Sequence, residues 1–475
     1  MRASAAFALA FVTASFVAGC APTRPGLPAR NLVLVTFDGL RADQLSCYSH
    51  PLPSSLLPTD PIERAEGRAF GLDELARAGV VFADAYAPSA LTLPSLATLF
   101  TGLPPVATGV LDDRSRLPLD QPTLAELARD AGFETAAFVS HPKLDLLSAV
   151  GRGFETSHWF RSDGEALGAA REWMARDFGD ARPVFLWIHL SGLEPPWEAI
   201  GKSEIGRREM EPLRFLDPGY QGPVDASPGF FERVAKGELQ LAPQDRAAFA
   251  QLYDGRIAAV AGRMTSFLQS AFDYNRRGAE STEFWSRTLL VLTATHGFDL
   301  GQRGSRVAAE MRDDFLRVPL ILRHPDSLTG ERVLRPVVEL SDVLPTLVEL
   351  FDLPRPRVLW GRSLLSLTDV RPAQGFVERS AVTQSAERIF SARDGRWRLV
   401  WSPYRSRMAE GDPHRELPAV ALYDRSLGMP EGDVAALHPE VVERLQAQIK
   451  DWITRQAFRV PLPLESRRSP ETPGG

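Results

Sequence analysis

The stretch NLVLVTF, residues 31–37, followed directly by Asp38, decides the fold class of this chain. It is a continuous apolar run, too short for a helix and rich in β-branched residues, which predicts a strand buried on both faces of a sheet. Similar runs recur at Thr135–Val139, Val184–Leu190, Thr288–Thr293 and Val318–Leu322. We therefore predict a strand at each of these five positions.

Helical patterns separate these runs, at Leu72–Ala78, Pro122–Ala131 and Phe249–Phe272. Strands that alternate with helices predict an α/β fold, with a mostly parallel sheet sandwiched by helices. In such sheets ligands bind beyond the carboxyl ends of the strands. Asp38 follows the first run and His296 follows the fourth, so both are predicted to lie where chemistry would take place.

Residues 1–19 have the pattern of an export signal, and Cys20 follows it. The apolar run is shorter than the ~20 residues that a membrane-spanning helix needs. Small residues before a cysteine resemble a bacterial lipobox, which predicts an acylated Cys20, a lipidated tether over residues 20–30 and a membrane-anchored lipoprotein of a bacterial cell envelope. An ordinary cleaved signal, with Cys20 incidental, is the alternative. Cys47 would then be the one thiol of the mature chain, which excludes an internal disulfide, and we expect it to be a buried small side chain.

The composition predicts a globular protein, with 44% hydrophobic and 24% charged residues. A net charge of −6, without a basic cluster, argues against nucleic acid as a partner. We predict an α/β domain over residues 31–367, with an insertion at 191–241 where Pro and Gly are frequent and the pattern weakens. A C-terminal α+β subdomain is predicted over 368–460, with strands Arg388–Ala392 and Trp397–Trp401 and a helix Glu440–Ala457, before a disordered tail at 461–475.

Four segments, in order along the chain, resemble the sulfatase branch of the alkaline-phosphatase-like hydrolases. They are residues 31–48, 78–102, 288–322 and 340–364, and the resemblance extends from about Asn31 to Trp452. It implies metal-dependent hydrolysis of sulfate esters. A divalent cation, usually calcium, polarises the ester, while a nucleophile at a helix N-terminus attacks sulfur or phosphorus.

The nucleophile position differs from the sulfatase pattern. In sulfatases it is a formylglycine made from cysteine or serine in a Cys/Ser-x-Pro-x-Arg motif, whereas the corresponding string here is TLPSL, residues 92–96. This places Thr92 at the nucleophile and Leu96 at the arginine, and no formylglycine is expected because threonine cannot be converted. Relatives that cleave phosphate esters use an unmodified threonine or serine, so a phosphomonoester or phosphodiester hydrolase is the alternative. Thr92 also suits a structural role, as the N-cap of a helix Ser95–Thr101.

The resemblance places Asp38 and His296 at metal-ligand positions, with Thr295 where the family has aspartate. One carboxylate, an imidazole and hydroxyls supply too few oxygens and too little negative charge for calcium, so we expect weak or no binding. Asp43 and Asp299 are close in sequence and offer substitute carboxylates.

Structural roles compete with metal binding at these positions. Asp38 could cap a helix Leu40–Leu45 or pair with Arg41. His296 could be a hydrogen-bonded loop histidine. His189, within an apolar strand, is predicted to be a core histidine with its hydrogen bonds satisfied.

The substrate-binding positions of the family are altered as well. Its histidine after the strand that carries His189 corresponds to Glu194, and its lysine or histidine before the last predicted strand corresponds to about Val307. A carboxylate repels an anionic ester, and Leu96 cannot replace a bidentate arginine. The sequence therefore predicts a pseudoenzyme with weak or lost catalysis, which binds a small anionic ester, an envelope ligand or a protein partner through the old cleft.

Overall fold

The computed structural model describes residues 30–49, 72–141, 150–175, 182–195, 197, 215–225, 227–236, 238–276, 284–301, 311–324, 327–330, 332–368, 379–385, 389–407, 418–427 and 432–459. The predictions for the export signal, Cys20, Val307 and the C-terminal tail lie outside these residues. Within them, no helix has the length and apolar character needed to cross a membrane.

A sheet of eight strands forms the centre of the large domain. Its strands, in chain order, are β1 (Asn31–Phe37), β2 (Val80–Phe82), β4 (Glu134–Ser140), β5 (Thr156–Phe160), β6 (Val184–Leu190), β7 (Thr288–Ala294), β9 (Leu320–Arg323) and β10 (Arg332–Leu334). Their spatial order is β10-β2-β9-β7-β1-β6-β4-β5, and β1 pairs in parallel with both β6 and β7. Every residue of β1, β6 and β7 is buried. The mostly parallel α/β sheet predicted from the apolar runs is therefore confirmed.

The fifth predicted strand is divided in two. Pro319 separates β8 (Arg317–Val318) from β9, since proline lacks the N–H that a continuous ladder requires. Strand β8 joins a small sheet with β3 (Ala85–Tyr86) and β11 (Val338–Glu339), whereas β9 runs antiparallel to β7 in the large sheet. The prediction of one strand over Val318–Leu322 was wrong in this respect.

Helices cover the sheet and connect its strands. They are α1 (Leu72–Arg77), α2 (Thr92–Thr101), α3 (Pro105–Thr108), α4 (Leu124–Asp130), α5 (Asp163–Met174), α6 (Pro228–Ala235), α7 (Pro243–Arg276), α8 (Asp313–Leu316), α9 (Val343–Phe351) and α10 (Leu365–Thr368). Helix α4 begins with a capping box between Thr123 and Glu126. The predicted helix Leu40–Leu45 is only a short 3₁₀ turn, Ala42–Gln44.

The C-terminal subdomain has the predicted α+β character. Strands β12 (Ala381–Gln384), β13 (Phe390–Arg393), β14 (Trp397–Trp401) and β15 (Val420–Asp424) form an antiparallel sheet in that order. Helix α11 (Pro439–Arg459) packs its apolar face on this sheet, with Leu445, Ile449 and Trp452 buried.

Part of the predicted insertion lies above the carboxyl edge of the large sheet. Trp197, shortly after β6, packs its ring against Phe231 of α6, Phe249 and Tyr253 of α7, and Phe298 after β7. This aromatic cluster connects the segment after β6 to α7 and to the loop after β7. The Tyr253 hydroxyl also donates to the Gly39 carbonyl, so the cluster lies beside the residues that follow β1, β6 and β7.

Candidate active site

Four neighbouring strands bring a charged cluster together at the carboxyl edge of the sheet. Asp38 follows β1, His189 lies near the end of β6, His141 follows β4, and Thr295 and His296 follow β7. Because β7, β1, β6 and β4 are adjacent and parallel, their carboxyl ends meet at one edge. Asp38 and the three histidines are all buried.

Two glycines let the strand ends approach each other. Gly39, with a φ of 71°, turns the chain directly after Asp38 in a conformation that favours glycine. A Cβ on Gly297 would lie 1.9 Å from the backbone oxygen of Asp314, so only glycine fits directly after His296.

Both oxygens of the Asp38 carboxylate contact neighbouring side chains. Its Oδ2 lies 3.0 Å from Nε2 of His189 and 3.4 Å from Nε2 of His141, and its Oδ1 accepts a hydrogen bond from the Thr295 hydroxyl. Burial alone would raise the pKa of Asp38, but the charge and hydrogen bond of His189, together with the charges of His141 and His296, lower it below its ordinary value. Asp38 is therefore an ionised carboxylate surrounded by imidazoles and a hydroxyl.

His189 is buried as predicted, but its partner was not foreseen. Its Nδ1 lies 2.9 Å from the Thr36 hydroxyl, which also accepts a hydrogen bond from the Trp187 indole at 3.0 Å. These contacts set the ring orientation that directs Nε2 at Asp38. His189 is thus a partner of the predicted metal-ligand residue as well as a core histidine with satisfied hydrogen bonds.

His296 connects the nucleophile position to Glu194. Its Nδ1–H donates to the Gly297 carbonyl at 2.8 Å, so Nε2 faces the Thr92 hydroxyl at 3.3 Å and Oε1 of Glu194 at 3.4 Å. Burial would lower the pKa of His296, but Glu194, Asp38 and the Gly297 carbonyl outweigh it and raise the pKa above its ordinary value. Ligation of a metal would need the neutral ring, and the contact with Glu194 favours the protonated one.

Thr92 is the first residue of α2, and Leu91 is the N-cap. Its hydroxyl makes no capping hydrogen bond and contacts His296 instead, so the predicted N-cap role was wrong. The backbone N–H of Leu93 donates to Oδ1 of Asp113 at 2.9 Å, which places a carboxylate at the positive end of the helix. Burial raises the pKa of Asp113. At the family's arginine position, Leu96 is fully buried in the apolar core.

The substitute carboxylates proposed from the sequence are engaged elsewhere. Asp43 pairs with Arg41, at 2.6 Å from its Nη2, and Asp299 lies 3.2 Å from Nη2 of Arg312. Arg41 also lies 3.4 Å from Asp314. Asp38 therefore neither pairs with Arg41 nor caps the short turn after it, and these two structural predictions were wrong.

The residues at these strand ends do not fit a calcium ion. Calcium requires six to eight oxygen ligands, whereas the oxygens of Asp38 contact imidazoles and a hydroxyl, and Glu194 contacts His296. In the part of the chain that the structure describes, no group of three or more His, Cys, Asp or Glu side chains has a geometry suited to a metal ion.

Two site residues were missed from the sequence. His141 directly follows a predicted strand, so the strand-end rule that selected Asp38 and His296 could have found it. Asp113 lies in a loop between α3 and α4 and has no periodic signal around it. Cys47 packs against the core but is only partly buried, so the prediction of a buried side chain was wrong in degree; burial raises the pKa of its thiol to about 12.

The large mostly parallel sheet with a separate antiparallel C-terminal sheet is an alkaline-phosphatase-like α/β fold. Among solved structures, the chain resembles the phosphonate monoester hydrolase of Agrobacterium radiobacter, with a TM-score of 0.67 and 19% identity over 90% of this chain and 96% of that one. It also resembles a 2-O GAG sulfatase, with a TM-score of 0.64 and 17% identity over 90% and 92% of the two chains. At these identities the likeness concerns the fold.

Sequence comparison shows similarity to sulfatases. The sulfatase family model matches residues 30–199. Human arylsulfatase A is 37% identical over 127 residues, which are 26% of this chain and 22% of that protein. The uncharacterized sulfatase YidJ of Escherichia coli K12 is 24% identical over 387 residues, which are 72% and 71% of the two chains. The chain is thus similar to sulfatases, a family of hydrolases whose members generally use a divalent cation, and it matches less than a quarter of the length of arylsulfatase A.

Proposed function

We propose that this chain is a sulfatase-like protein in which ester hydrolysis is weak or lost. We further propose that it binds a ligand or a protein partner at the carboxyl ends of the strands, in the region around Asp38, Thr92 and His296 that we call the cleft. One observation carries the proposal. Asp38, the predicted first metal ligand, is surrounded by His189, His141 and Thr295 rather than by further carboxylates. A divalent ion would have to displace three neighbouring side chains from Asp38 and would gain only one carboxylate.

Carboxylates of the chain itself already contact the groups of the cleft that could bind an anion, namely His296 and the N-terminus of α2. The carboxylate of Glu194 lies on His296, and that of Asp113 lies on the first turn of α2. A substrate ester would have to compete with these carboxylates for the same N–H donors. This internal neutralisation supports weak binding of ionised esters and leaves the cleft suited to a neutral ligand or a protein segment.

We further propose that the protein is held at a membrane of the cell envelope through an acylated Cys20. The support for this lies in the sequence before Cys20, where an apolar run ends in small residues. Mass spectrometry of the mature N-terminus tests it directly, since an unmodified residue at the N-terminus would exclude the anchor.

The test of the main proposal is metal analysis of the purified protein together with a panel of chromogenic sulfate and phosphate esters. Thr92→Ala is the decisive variant, and Thr454→Ala on the exposed part of α11 is the matched control. We expect no stoichiometric divalent ion and the same background rate for all three proteins. Turnover that Thr92→Ala abolishes and Thr454→Ala retains would overturn the proposal.

A second function is favoured by the contact between Thr92 and His296. When its ring is neutral, Nε2 of His296 would accept the Thr92 proton while Thr92 Oγ1 attacks phosphorus. The bond between phosphorus and the ester oxygen would break, and the leaving oxygen would take this proton from His296 to depart as an alcohol. Water would then hydrolyse the phosphothreonine to phosphate and Thr92. Because the pKa of His296 is raised, this activity should increase as pH rises above 6.5, the ordinary value. Detection of phosphothreonine at position 92 after acid quench would support this function over the first.

A further inference from the structure

The chain enters the large sheet at the edge opposite the cleft. Strands β1, β4, β6 and β7 are parallel, so their first residues lie together at one edge of the sheet, which we call the amino edge. The cleft lies at the other edge, where the same strands end. The seven residues of β1 separate the two edges by about 20 Å.

Hydrogen bonds fix the point at which the chain enters the sheet. The backbone N–H groups of Arg30 and Asn31 both donate to the Arg287 carbonyl, at 2.7 and 3.0 Å. The side-chain oxygen of Asn31 accepts a hydrogen bond from the backbone N–H of Val184 at 3.1 Å. These bonds join the start of β1 to the residues that begin β6 and precede β7. Arg30 is therefore held at the amino edge, below an inner strand with four strands on one side and three on the other.

The segment between Cys20 and the sheet is short compared with the domain. Ten residues, 21–30, separate Cys20 from Asn31. Fully extended, ten residues span at most about 36 Å. For a domain of about 340 residues the expected radius of gyration is about 20 Å, which makes the surface path between opposite edges roughly 80 Å. A tether from the amino edge therefore covers less than half of the path to the cleft.

We infer that the amino edge faces the membrane and that the cleft opens away from it. This inference rests on the proposed acylation of Cys20 and adds the direction in which the protein stands on the bilayer. A ligand of the cleft then comes from the aqueous space outside the bilayer, and the headgroups of the anchoring lipids are out of its reach.

An exposed aromatic side chain favours the opposite orientation. Trp159, near the end of β5, is 41% exposed, and its indole donates to the His141 carbonyl at the carboxyl edge. Tryptophan is frequent where proteins meet the membrane surface. The length of the tether decides between the two orientations, because contact between Trp159 and the bilayer requires the cleft edge to turn toward the anchor.

Energy transfer from the protein to labelled lipids tests the inference. The acylated full-length protein is placed in vesicles of phosphatidylethanolamine and phosphatidylglycerol that carry an acceptor dye on the headgroups. In a Cys47→Ala background, a donor dye is attached through Ala131→Cys or, in a second protein, through Arg114→Cys. Ala131 is exposed shortly before β4 at the amino edge, and Arg114 is exposed beside Asp113 at the cleft.

We expect transfer from position 131 to be at least about twofold stronger than from position 114, since about 20 Å of strand separates the two edges. Insertion of about thirty Gly and Ser residues after Gly26 is the control. It lengthens the extended reach to about 140 Å, so the difference between the two positions should fall. A difference that this insertion left unchanged would overturn the tether as its cause.

Two further outcomes separate the orientation from the anchor. If the protein failed to float with the vesicles, the anchor and the orientation would both be overturned. If the protein floats with the vesicles, equal transfer at the two positions, or stronger transfer at position 114, would overturn the orientation and leave the anchor standing.

Discussion

Two carboxylates of this protein, the buried Asp38 in the cleft and the partly buried Asp313 at the border of the C-terminal subdomain, contact different kinds of cation. The oxygens of Asp38 face the imidazoles of His189 and His141. Those of Asp313 accept hydrogen bonds from Arg393 at 2.8 Å and Arg425 at 2.9 Å. Burial would raise the pKa of Asp313, but Arg425 and Arg393 lower it below its ordinary value.

The two regions differ in whether the cations around the carboxylate lose their charge near neutral pH. Guanidinium groups keep their charge at every pH at which proteins fold, whereas imidazoles change charge near neutrality. Arg393 is completely buried and connects the C-terminal sheet to α8, so its pairing with Asp313 is structural. In the cleft, the balance of charge depends on pH. One region is thus a permanent connection between elements, and the other is a cluster whose charge can change.

The largest expected loss of stability comes from removing the ion pair between Arg393 and Asp313. Arg393→Met should reduce the free energy of unfolding by about 3 kcal/mol, because it removes a completely buried guanidinium and leaves the partly buried Asp313 carboxylate without one of its two cations. Since both partners stay charged, the loss should be constant between pH 5.5 and 8.5. Urea unfolding across this range measures it, with the exposed Arg129→Met as control. A loss that varied with pH would contradict the comparison.

A smaller effect is expected at Asp38. Asp38→Asn should cost about 2 kcal/mol at neutral pH, the contribution of hydrogen bonds to a charged group. Because the folded pKa of Asp38 is lowered, its contribution is present above the unfolded value of about 3.9 and disappears as pH falls through the folded pKa. Unfolding curves of both proteins should therefore converge in acid. A difference that persisted undiminished at the most acidic pH tested would refute this assignment.

The smallest loss of stability is expected at Glu194, which contacts His296 in the cleft. Glu194→Gln should lower the pKa of His296 and cost less than about 1 kcal/mol, because the Glu194 side chain is partly exposed. The folded pKa of His296 is raised, so this stabilisation is complete below about pH 6.5 and is lost as pH rises through the folded pKa. Titration of the His296 ring protons by NMR measures the shift, with Glu232→Gln as control. An unchanged titration would show that Glu194 does not stabilise the imidazolium.

The fold was well predicted because its signals are local. The apolar runs at β1, β6 and β7 are continuous because both faces of each strand are buried. A strand buried on both faces can therefore be predicted from a continuous apolar run alone. Helix and strand ends were less well predicted. Helix α7 begins at Pro243, before the predicted Phe249, and Pro319 divides one predicted strand.

The sequence by itself determined the α/β class, the family resemblance and the positions of Asp38, Thr92 and His296 at strand or helix ends, because these follow from chain patterns. Tertiary structure alone decided which charges face each other. Asp113 meets the Leu93 N–H across 20 residues, and His189 meets Asp38 across 151. Such contacts depend on strand order and side-chain direction, and a hydrogen bond or ion pair forms only when two atoms come within about 3 Å. No pattern along one chain specifies that distance.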